Sequence, residues 1–166
     1  MKKVFCFLFL LLNLTPVSLF AAEIQGKVIR VLDGDTIDVL QNKTPVRIRL
    51  ANIDAPEKKQ AFGRWSGERL KRLVAAQYVT VTYTQRDRYG RIIGRVFTPN
   101  GTEANRYMVE SGAAWVYERY NTDKVLPALQ REAQAQKRGL WADVRLNVSW
   151  DSSHNNVYGA GFSGGW

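Results

Sequence analysis

The chain has 166 residues, a length that predicts one domain, and its formal net charge is +9 at pH 7. This basic balance favours an anionic partner such as nucleic acid, a membrane surface or a polyanionic wall polymer, without choosing among them. The single cysteine, Cys6, lies near the start, so the remaining chain contains neither a disulfide nor a thiol nucleophile. The single histidine, His154, lies near the end, which disfavours a histidine base or a histidine-rich zinc site.

The start of the chain has the layout of a secretory signal peptide, which we place at residues 1–22. Two lysines precede an almost wholly apolar run from Val4 to Leu12, and Ala21 and Ala22 supply small residues at the expected cleavage site. The apolar run is too short to span a bilayer. We therefore expect an exported protein, periplasmic or secreted, with no stable membrane anchor after signal cleavage.

Alternating apolar and polar residues predict five strands, which we place at 23–32, 36–41, 44–50, 78–84 and 92–98. Helical patterns predict three helices, at 62–77, 102–111 (with Thr102 as the N-cap) and 125–138. The connections between strands are mostly as short as hairpins, which favours a small antiparallel barrel over a parallel sheet. We therefore predict an α+β fold, mainly β: a five-stranded oligonucleotide-binding (OB) barrel with about three packed helices, spanning residues 23–146.

The last part of the chain, residues 147–166, is rich in Ser, Asn and Gly with isolated aromatic residues. This composition predicts a flexible tail. Its aromatic side chains could stack on bases or sugars, or the segment could simply be an unstructured end.

The third strand contains a change of parity. Its apolar residues up to Leu50 are even-numbered, whereas the next apolar residue, Ile53, is odd-numbered. A bulge or bend at Ala51-Asn52 would reconcile the two patterns. Such a bend would also place Arg49 and Asp54 together on the side away from the core.

Two acidic turns, Asp33-Gly34-Asp35 and Asp54-Ala55-Pro56-Glu57, follow or precede neighbouring strands. We expect Gly34 to supply the permissive backbone of the first turn. Carboxylate oxygens without nearby histidine or cysteine suit a hard cation, Ca²⁺ or Mg²⁺. The chain has no glycine-rich phosphate loop with a lysine, so nucleotide hydrolysis of the P-loop kind is disfavoured.

The chemistry that fits these residues is metal-assisted attack of water on a phosphodiester. Arg49 and Arg91 lie at a strand end and in a turn, and a guanidinium can bind two phosphate oxygens at once. Glu57 is the carboxylate that remains for the attacking water.

Four motifs in order resemble the staphylococcal nuclease (thermonuclease) family. They are Asp33-Gly34-Asp35-Thr36, Arg49 five residues before Asp54-Ala55-Pro56-Glu57, Asp87-Arg88-Tyr89-Gly90-Arg91, and Arg131-Glu132-Ala133-Gln134-Ala135 followed by Gly139-Leu140-Trp141. The resemblance covers about residues 23–143. It implies a monomeric, Ca²⁺-dependent nuclease that cuts DNA and RNA with little sequence preference and leaves 3′-phosphate ends.

The resemblance also implies roles for individual residues. Asp35, Asp54 and the backbone carbonyl of Ala55, where the family commonly has threonine, would be the calcium ligands. Glu57 would be the general base or water-orienting residue, and Arg49 and Arg91 would bind the phosphate. Three aromatic residues would contact the substrate: Tyr89, Tyr117 and Tyr120.

Other interpretations of these residues stay open at this point. An OB barrel could bind nucleic acid without cutting it, or the protein could bind a cell-surface polyanion. The charged residues could instead form a structural salt-bridge cluster; they are Asp35, Asp54, Glu57, Arg49 and Arg91. Asp33 could stabilise its turn or bind the metal. Tyr89 could pack against the protein or contact the substrate.

Overall fold

The structure, a computed structural model, describes residues 21–142, so the predicted signal segment up to residue 20 and the predicted tail lie outside the described residues. The elements in chain order are β1 (Ala22–Val31), β2 (Thr36–Gln41), β3 (Thr44–Leu50), β4 (Ile53–Asp54), α1 (Gly63–Val74), β5 (Tyr78–Arg86), β6 (Ile92–Phe97), α2 (Ala104–Glu110), β7 (Trp115–Val116) and α3 (Leu126–Ala135), with 3-10 turns at Glu118–Tyr120 and Gly139–Ala142.

Five strands form a closed barrel in the order β1-β2-β3-β6-β5, while β4 and β7 pair separately. The predicted α+β fold with a five-stranded barrel and three helices is thereby confirmed. The prediction of an antiparallel barrel is wrong for one pair, because β3 and β6 run parallel. A ring with an odd number of strands cannot alternate direction all the way round, so a closed five-stranded barrel must contain a parallel pair.

The core lies inside the barrel and between the barrel and the helices. In β2, Ile37 and Val39 point inward and are fully buried, and Asp35 just before the strand has the same parity and is also buried. Helix α1 buries one stripe that includes Ser66 and Leu70. Helix α2 packs against both α1 and α3. Helix α1 also contacts β1 of the barrel, and α2 contacts β6.

The predicted bend in the third strand is present. Asn52 has φ 67°, in the left-handed region that asparagine tolerates better than most residues. Its carbonyl accepts the N–H of Tyr117 at 2.9 Å, and its side-chain Oδ1 accepts the N–H of Thr122 at 3.1 Å. The bend separates β3 from the short strand β4, which pairs with β7. Asn52 therefore ties the strand that carries the acidic turn to the segment before α3.

The predicted N-cap of the second helix is wrong. Thr102 is paired across a turn, where its carbonyl accepts the N–H of Thr98 at 3.0 Å, and α2 begins after Glu103. The Glu103 carboxylate instead pairs with Arg95 of β6 and Arg106 of α2. Within residues 21–142, no helix has the length and apolarity needed to cross a bilayer.

Candidate active site

The two acidic turns meet at one end of the barrel. Asp35 accepts a hydrogen bond through Oδ2 from the backbone N–H of Ala55, at 2.9 Å. The carbonyl of Asp35 accepts the N–H of Leu50 at 2.8 Å, which ties the first turn to the end of β3. Within the first turn, Oδ1 of Asp33 accepts the N–H of Asp35 at 3.2 Å. Asp33 thus stabilises the turn that presents Asp35.

Gly34 is needed for its missing side chain rather than for its backbone angles. It is not among the described glycines with a positive φ, so the permissive backbone predicted for it is not used. A Cβ on Gly34 would lie 1.8 Å from Oγ of Ser66 and 2.8 Å from Cβ of Ala55. The glycine therefore allows the first acidic turn to approach both α1 and the second acidic turn.

The Asp35 carboxyl group is buried, with 5 % of the residue exposed. The hydroxyl of Thr36 donates to its Oδ1 at 2.8 Å. Burial raises the pKa of Asp35 to about 7, and the nearby Arg49 guanidinium opposes that shift. The charges of Asp33 and Asp54 raise the pKa further. The buried carboxylate therefore sits where an added positive charge would stabilise its ionised form.

The Arg49 guanidinium joins the two acidic turns. Its Nη2 lies 2.7 Å from Oδ1 of Asp54, and its Nη1 lies 3.3 Å from Oδ2 of Asp35. Nη1 also donates to the carbonyls of Leu50, at 3.0 Å, and Ile53, at 2.7 Å. The Arg49 side chain is only 14 % exposed. The bend thus brings Arg49 and Asp54 together as the parity change predicted.

Glu57 lies in the exposed loop that follows the second acidic turn. Its backbone N–H donates to Oε1 of Gln60 at 2.7 Å, and its carbonyl accepts the N–H of Gln60 at 2.8 Å. A Cβ on Gly63 would lie 1.9 Å from the Glu57 carbonyl, so α1 begins directly against this loop. Within the described residues, no hydrogen bond or ion pair joins the Glu57 carboxylate to Arg49 or Asp35. Its backbone is fixed, while its carboxylate lies at the solvent side.

Arg91 is held by Asp87 at the start of β6. Oδ2 of Asp87 accepts a hydrogen bond from Arg91 Nε at 2.7 Å, and Oδ1 accepts the backbone N–H groups of Arg91 and Tyr89, both at 2.9 Å. Burial alone would raise the pKa of Asp87, but these hydrogen bonds lower it overall. One ionised carboxylate therefore shapes the turn and orients the guanidinium.

The three predicted substrate-contacting tyrosines fall into two groups. Tyr89 is 68 % exposed, with the guanidinium groups of Arg88 and Arg91 over its ring. Tyr117 and Tyr120 form an edge-to-face pair with centroids 5.1 Å apart, next to the Asn52 bend. The structure thus brings Tyr117 and Tyr120 together and leaves Tyr89 with the Arg91 turn.

The residues present fit a hard cation. The carboxylates of Asp35 and Asp54 both reach one positive group, the Arg49 guanidinium, so they converge on one region. Carboxylate and backbone carbonyl oxygens are donors that Ca²⁺ accepts, and water can supply the remainder of its coordination shell. In residues 21–142, three or more His, Cys, Asp or Glu residues do not cluster as a metal site, so backbone and water oxygens would be required.

For two residues that shape the site, no role in it was predicted from the sequence. Asp87 is one, although the spacing Asp-x-x-x-Arg inside a glycine turn signals a carboxylate that can reach back to the arginine. Ser66 is the other, a helix residue whose Oγ donates to the carbonyl of Ala113 at 2.6 Å beside Gly34. Its position on the buried stripe of α1 was predictable, but its polar partner lies 47 residues away in sequence.

The two acidic turns that meet at Arg49, with a second carboxylate-held arginine, Arg91, just before the strand that pairs with β3, define a protein suited to binding phosphate esters. Comparison of the sequence with known protein families supports this class. The family described as "Staphylococcal nuclease homologue" matches residues 47–143. The chain therefore belongs to the staphylococcal nuclease family, as the four motifs predicted, and its enzyme class is that of a nuclease, a hydrolase.

Several known proteins are similar over most of their length. An "Uncharacterized endonuclease" of Escherichia coli is 62 % identical over 133 residues, which is 80 % of this chain and 87 % of that protein. A "Micrococcal nuclease" of Shigella flexneri is 44 % identical over 139 residues, or 78 % of this chain and 80 % of that protein. "Protein ParB" of Escherichia coli is 41 % identical over 139 residues, 78 % of each chain.

Proposed function

We propose that this protein is an exported, Ca²⁺-dependent endonuclease that hydrolyses phosphodiester bonds of DNA and RNA with little sequence preference. The observation that carries the proposal is the Arg49 guanidinium, which contacts both Asp35 and Asp54 where the two acidic turns meet. The family membership and the endonuclease and nuclease names of similar proteins give further support.

Asp35, Asp54 and the backbone carbonyl of Ala55 are the residues that would hold the calcium ion. When bound there, Ca²⁺ would supply positive charge to a phosphate oxygen without proton transfer. Alanine at position 55 keeps the carbonyl that this role requires. Burial of Asp35 supports the assignment, because a buried carboxylate gains from a neighbouring cation more than an exposed one does.

Arg49 and Arg91 would bind the scissile phosphate and its transition state. Backbone carbonyls and carboxylates hold Arg49, and Asp87 holds Arg91 through Nε, so both guanidinium groups are oriented before substrate arrives. Preorganised donors of this kind stabilise charge that develops on phosphate oxygens. The terminal Nη groups of Arg91 would be the donors offered to the phosphate.

Glu57 would orient or deprotonate the attacking water. The exposed carboxylate is accessible to solvent, and the hydrogen bonds with Gln60 fix the backbone that carries it. Attack in line on phosphorus would form a P–O bond to water and break the bond to the 5′ oxygen. The products would be a 3′-phosphate and a 5′-hydroxyl, as the family resemblance implies.

The test incubates the purified protein with plasmid DNA and with RNA, in Ca²⁺ and in chelator. Both substrates should be cut in Ca²⁺, and neither should be cut in chelator. Glu57→Gln and Arg91→Ala should each lower turnover by about 10²-fold or more with the fold retained. Glu68→Gln is the matched control, because it removes an exposed helix carboxylate. Unchanged turnover in both site variants would overturn the assignment, and binding without calcium-dependent cleavage would identify a noncatalytic module instead.

Export is part of the same proposal and rests on the signal-like start of the chain. Cell fractionation should find the protein in the periplasm or the medium, with a new N-terminus near Ala21 or Ala22. Retention of the full-length chain in the cytoplasm would contradict it.

A further inference from the structure

A row of charged side chains crosses the outside of the barrel next to the candidate active site. Arg30 of β1 pairs in register with Asp38 of β2, and Asp38 pairs with Arg47 of β3. In the parallel pair of β3 and β6, Ile48 lies opposite Ile92, so Arg47 of β3 lies beside Arg91, the residue just before β6. The row therefore crosses three strands and ends at Arg91, a proposed catalytic arginine just before β6.

A β-bulge in β1 places Arg30 in this row. Val28 pairs with Val39 and is buried, and simple alternation would point Arg30 inward as well. The register shifts between Val28 and Arg30, so Arg30 pairs with Asp38 and faces outward. Bulges commonly re-aim a side chain beside a functional site.

Asp38 holds both arginines. The residue is 2 % exposed, although it lies on the outer face of the barrel. Its Oδ1 accepts Arg47 Nε at 2.8 Å, and its Oδ2 accepts Arg30 Nε at 2.8 Å. Because two guanidinium groups share one carboxylate, the cluster of Arg30, Asp38 and Arg47 carries a net positive charge. The Arg30 and Arg47 side chains remain 62 % and 44 % exposed, so that charge faces solvent.

The same arginines line an open cleft that extends to Arg91 and to Asp33 of the first acidic turn. The cleft has a volume of about 580 Å³, and its walls include Arg30, Arg47, Asp33, Tyr89 and Arg91. An exposed aromatic ring and two exposed guanidinium groups in one cleft suit a nucleic-acid strand, which offers bases for stacking and phosphates for ion pairing.

Spacing along β3 supports a phosphate next to the scissile one. Arg47 and Arg49 are two residues apart on one face of the strand, which separates their Cα atoms by about 7 Å. This distance is comparable to one backbone step of an extended nucleic-acid strand. A strand whose scissile phosphate lies at Arg49 and Arg91 would therefore bring a neighbouring phosphate to Arg47.

We propose that Arg30 and Arg47, held by Asp38, form a binding subsite for a substrate phosphate adjacent to the scissile one. The proposal rests on the proposed nuclease function, because that function places the scissile phosphate at Arg49 and Arg91. The subsite acts on substrate binding and takes no part in bond breaking.

The test compares Arg47→Gln with Arg95→Gln in the purified protein. The control is matched, because Arg95 also lies on a barrel strand and shares a nearly buried carboxylate, Glu103, with a second arginine. Arg47→Gln leaves Arg30 paired with Asp38, and Arg95→Gln leaves Arg106 paired with Glu103. One readout is binding of a fluorescent ten-nucleotide single strand in chelator, and the other is kcat/KM in Ca²⁺ for that strand and for a dinucleotide.

Arg47→Gln should raise Kd for the ten-nucleotide strand about fivefold and lower kcat/KM for it to a similar extent. The dependence of log Kd on log salt should become shallower by about 0.7. The dinucleotide has one phosphodiester and cannot fill a neighbouring subsite, so its kcat/KM should not change. Arg95→Gln should leave Kd for the ten-nucleotide strand unchanged, and kcat/KM unchanged for both substrates.

The proposal would be overturned if Arg47→Gln and Arg95→Gln changed Kd for the strand equally. It would also be overturned if Arg47→Gln lowered kcat/KM equally for the dinucleotide and for the ten-nucleotide strand. If the unmodified protein cuts neither substrate, the proposed function fails, and the binding comparison alone decides the subsite. If Arg47→Gln does not fold, Arg30→Gln replaces it, since Arg47 then remains on Asp38.

Discussion

The carboxylate of Asp87 and the guanidinium of Arg91 meet at 2.7 Å, while the other carboxylate oxygen accepts the backbone N–H of the same arginine. This double contact makes Asp87 a positioning residue for a proposed catalytic group. Asp87→Asn keeps an oxygen for the backbone N–H groups and replaces the oxygen that binds Nε. We expect kcat/KM to fall about 10- to 100-fold, because a misplaced guanidinium stabilises the transition state less well.

Steady-state kinetics of Asp87→Asn, with a thermal melt of the same sample, checks this prediction. The melting temperature should change little, since the turn keeps its backbone hydrogen bonds. Wild-type kcat/KM in a folded variant would show that Arg91 does not depend on Asp87.

Gly34 should not tolerate a side chain. Gly34→Ala would place Cβ 1.8 Å from Oγ of Ser66, and relief of that clash would push apart the two acidic turns. We expect a loss of about 1–3 kcal/mol in the free energy of unfolding, together with weaker calcium binding. Urea denaturation and calcium titration measure the two effects.

Gly67 provides the matched control, because it lies in α1 close to the same turn. A Cβ on Gly67 would have its nearest neighbours at 3.7 Å, an ordinary contact distance. Gly67→Ala should therefore leave stability unchanged or raise it by up to about 1 kcal/mol, the helix preference of alanine over glycine. Equal stability of the two variants would show that the close approach of Gly34 is not needed.

Calcium should stabilise the folded protein through the two acidic turns. A ligand that binds only the folded state, at a free concentration about 100 times its Kd, adds about 2.7 kcal/mol to the free energy of unfolding. Chelator should therefore lower the melting temperature of the unmodified protein. In Asp54→Asn the difference between calcium and chelator should disappear, whereas Asp87→Asn should retain it because Asp87 lies outside the proposed ligand set. A calcium-dependent shift that persists in Asp54→Asn would remove Asp54 from that set.

Asp38 should contribute to stability only while it is ionised. The hydrogen bond from Arg47 is the largest cause that lowers the pKa of Asp38 below its ordinary value. The folded state therefore binds this proton less readily than the unfolded chain, where aspartate titrates near about 3.9. The stabilisation is complete above that unfolded pKa and is lost as the pH falls through the lower folded pKa.

Thermal melts of the unmodified protein and Asp38→Asn between pH 3 and pH 7 test this dependence. The gap in melting temperature should be widest near neutral pH and should narrow below about pH 4. Glu68→Gln, which removes an exposed carboxylate, should show no such convergence. A gap of constant width across the range would mean that ionisation of Asp38 is not what stabilises the cluster.

Local patterns in the sequence determined much of this protein. Alternation located the five barrel strands, and the parity change before Ile53 located the bend that brings Arg49 to Asp54. These features depend on residues within a few positions of one another, where the two faces of a strand are distinguishable from composition alone. The order of the four motifs identified the family.

Tertiary structure decided what depends on closure of the barrel. The parallel pair of β3 and β6 follows from closing an odd number of strands, and it places Arg47 beside Arg91. The approach of Gly34 to Ser66 joins segments more than 30 residues apart, so no local pattern reports it. The bulge that turns Arg30 toward Asp38 depends on register with β2. Contacts between distant segments are set by strand pairing and packing, which the spacing of residues along one segment does not encode.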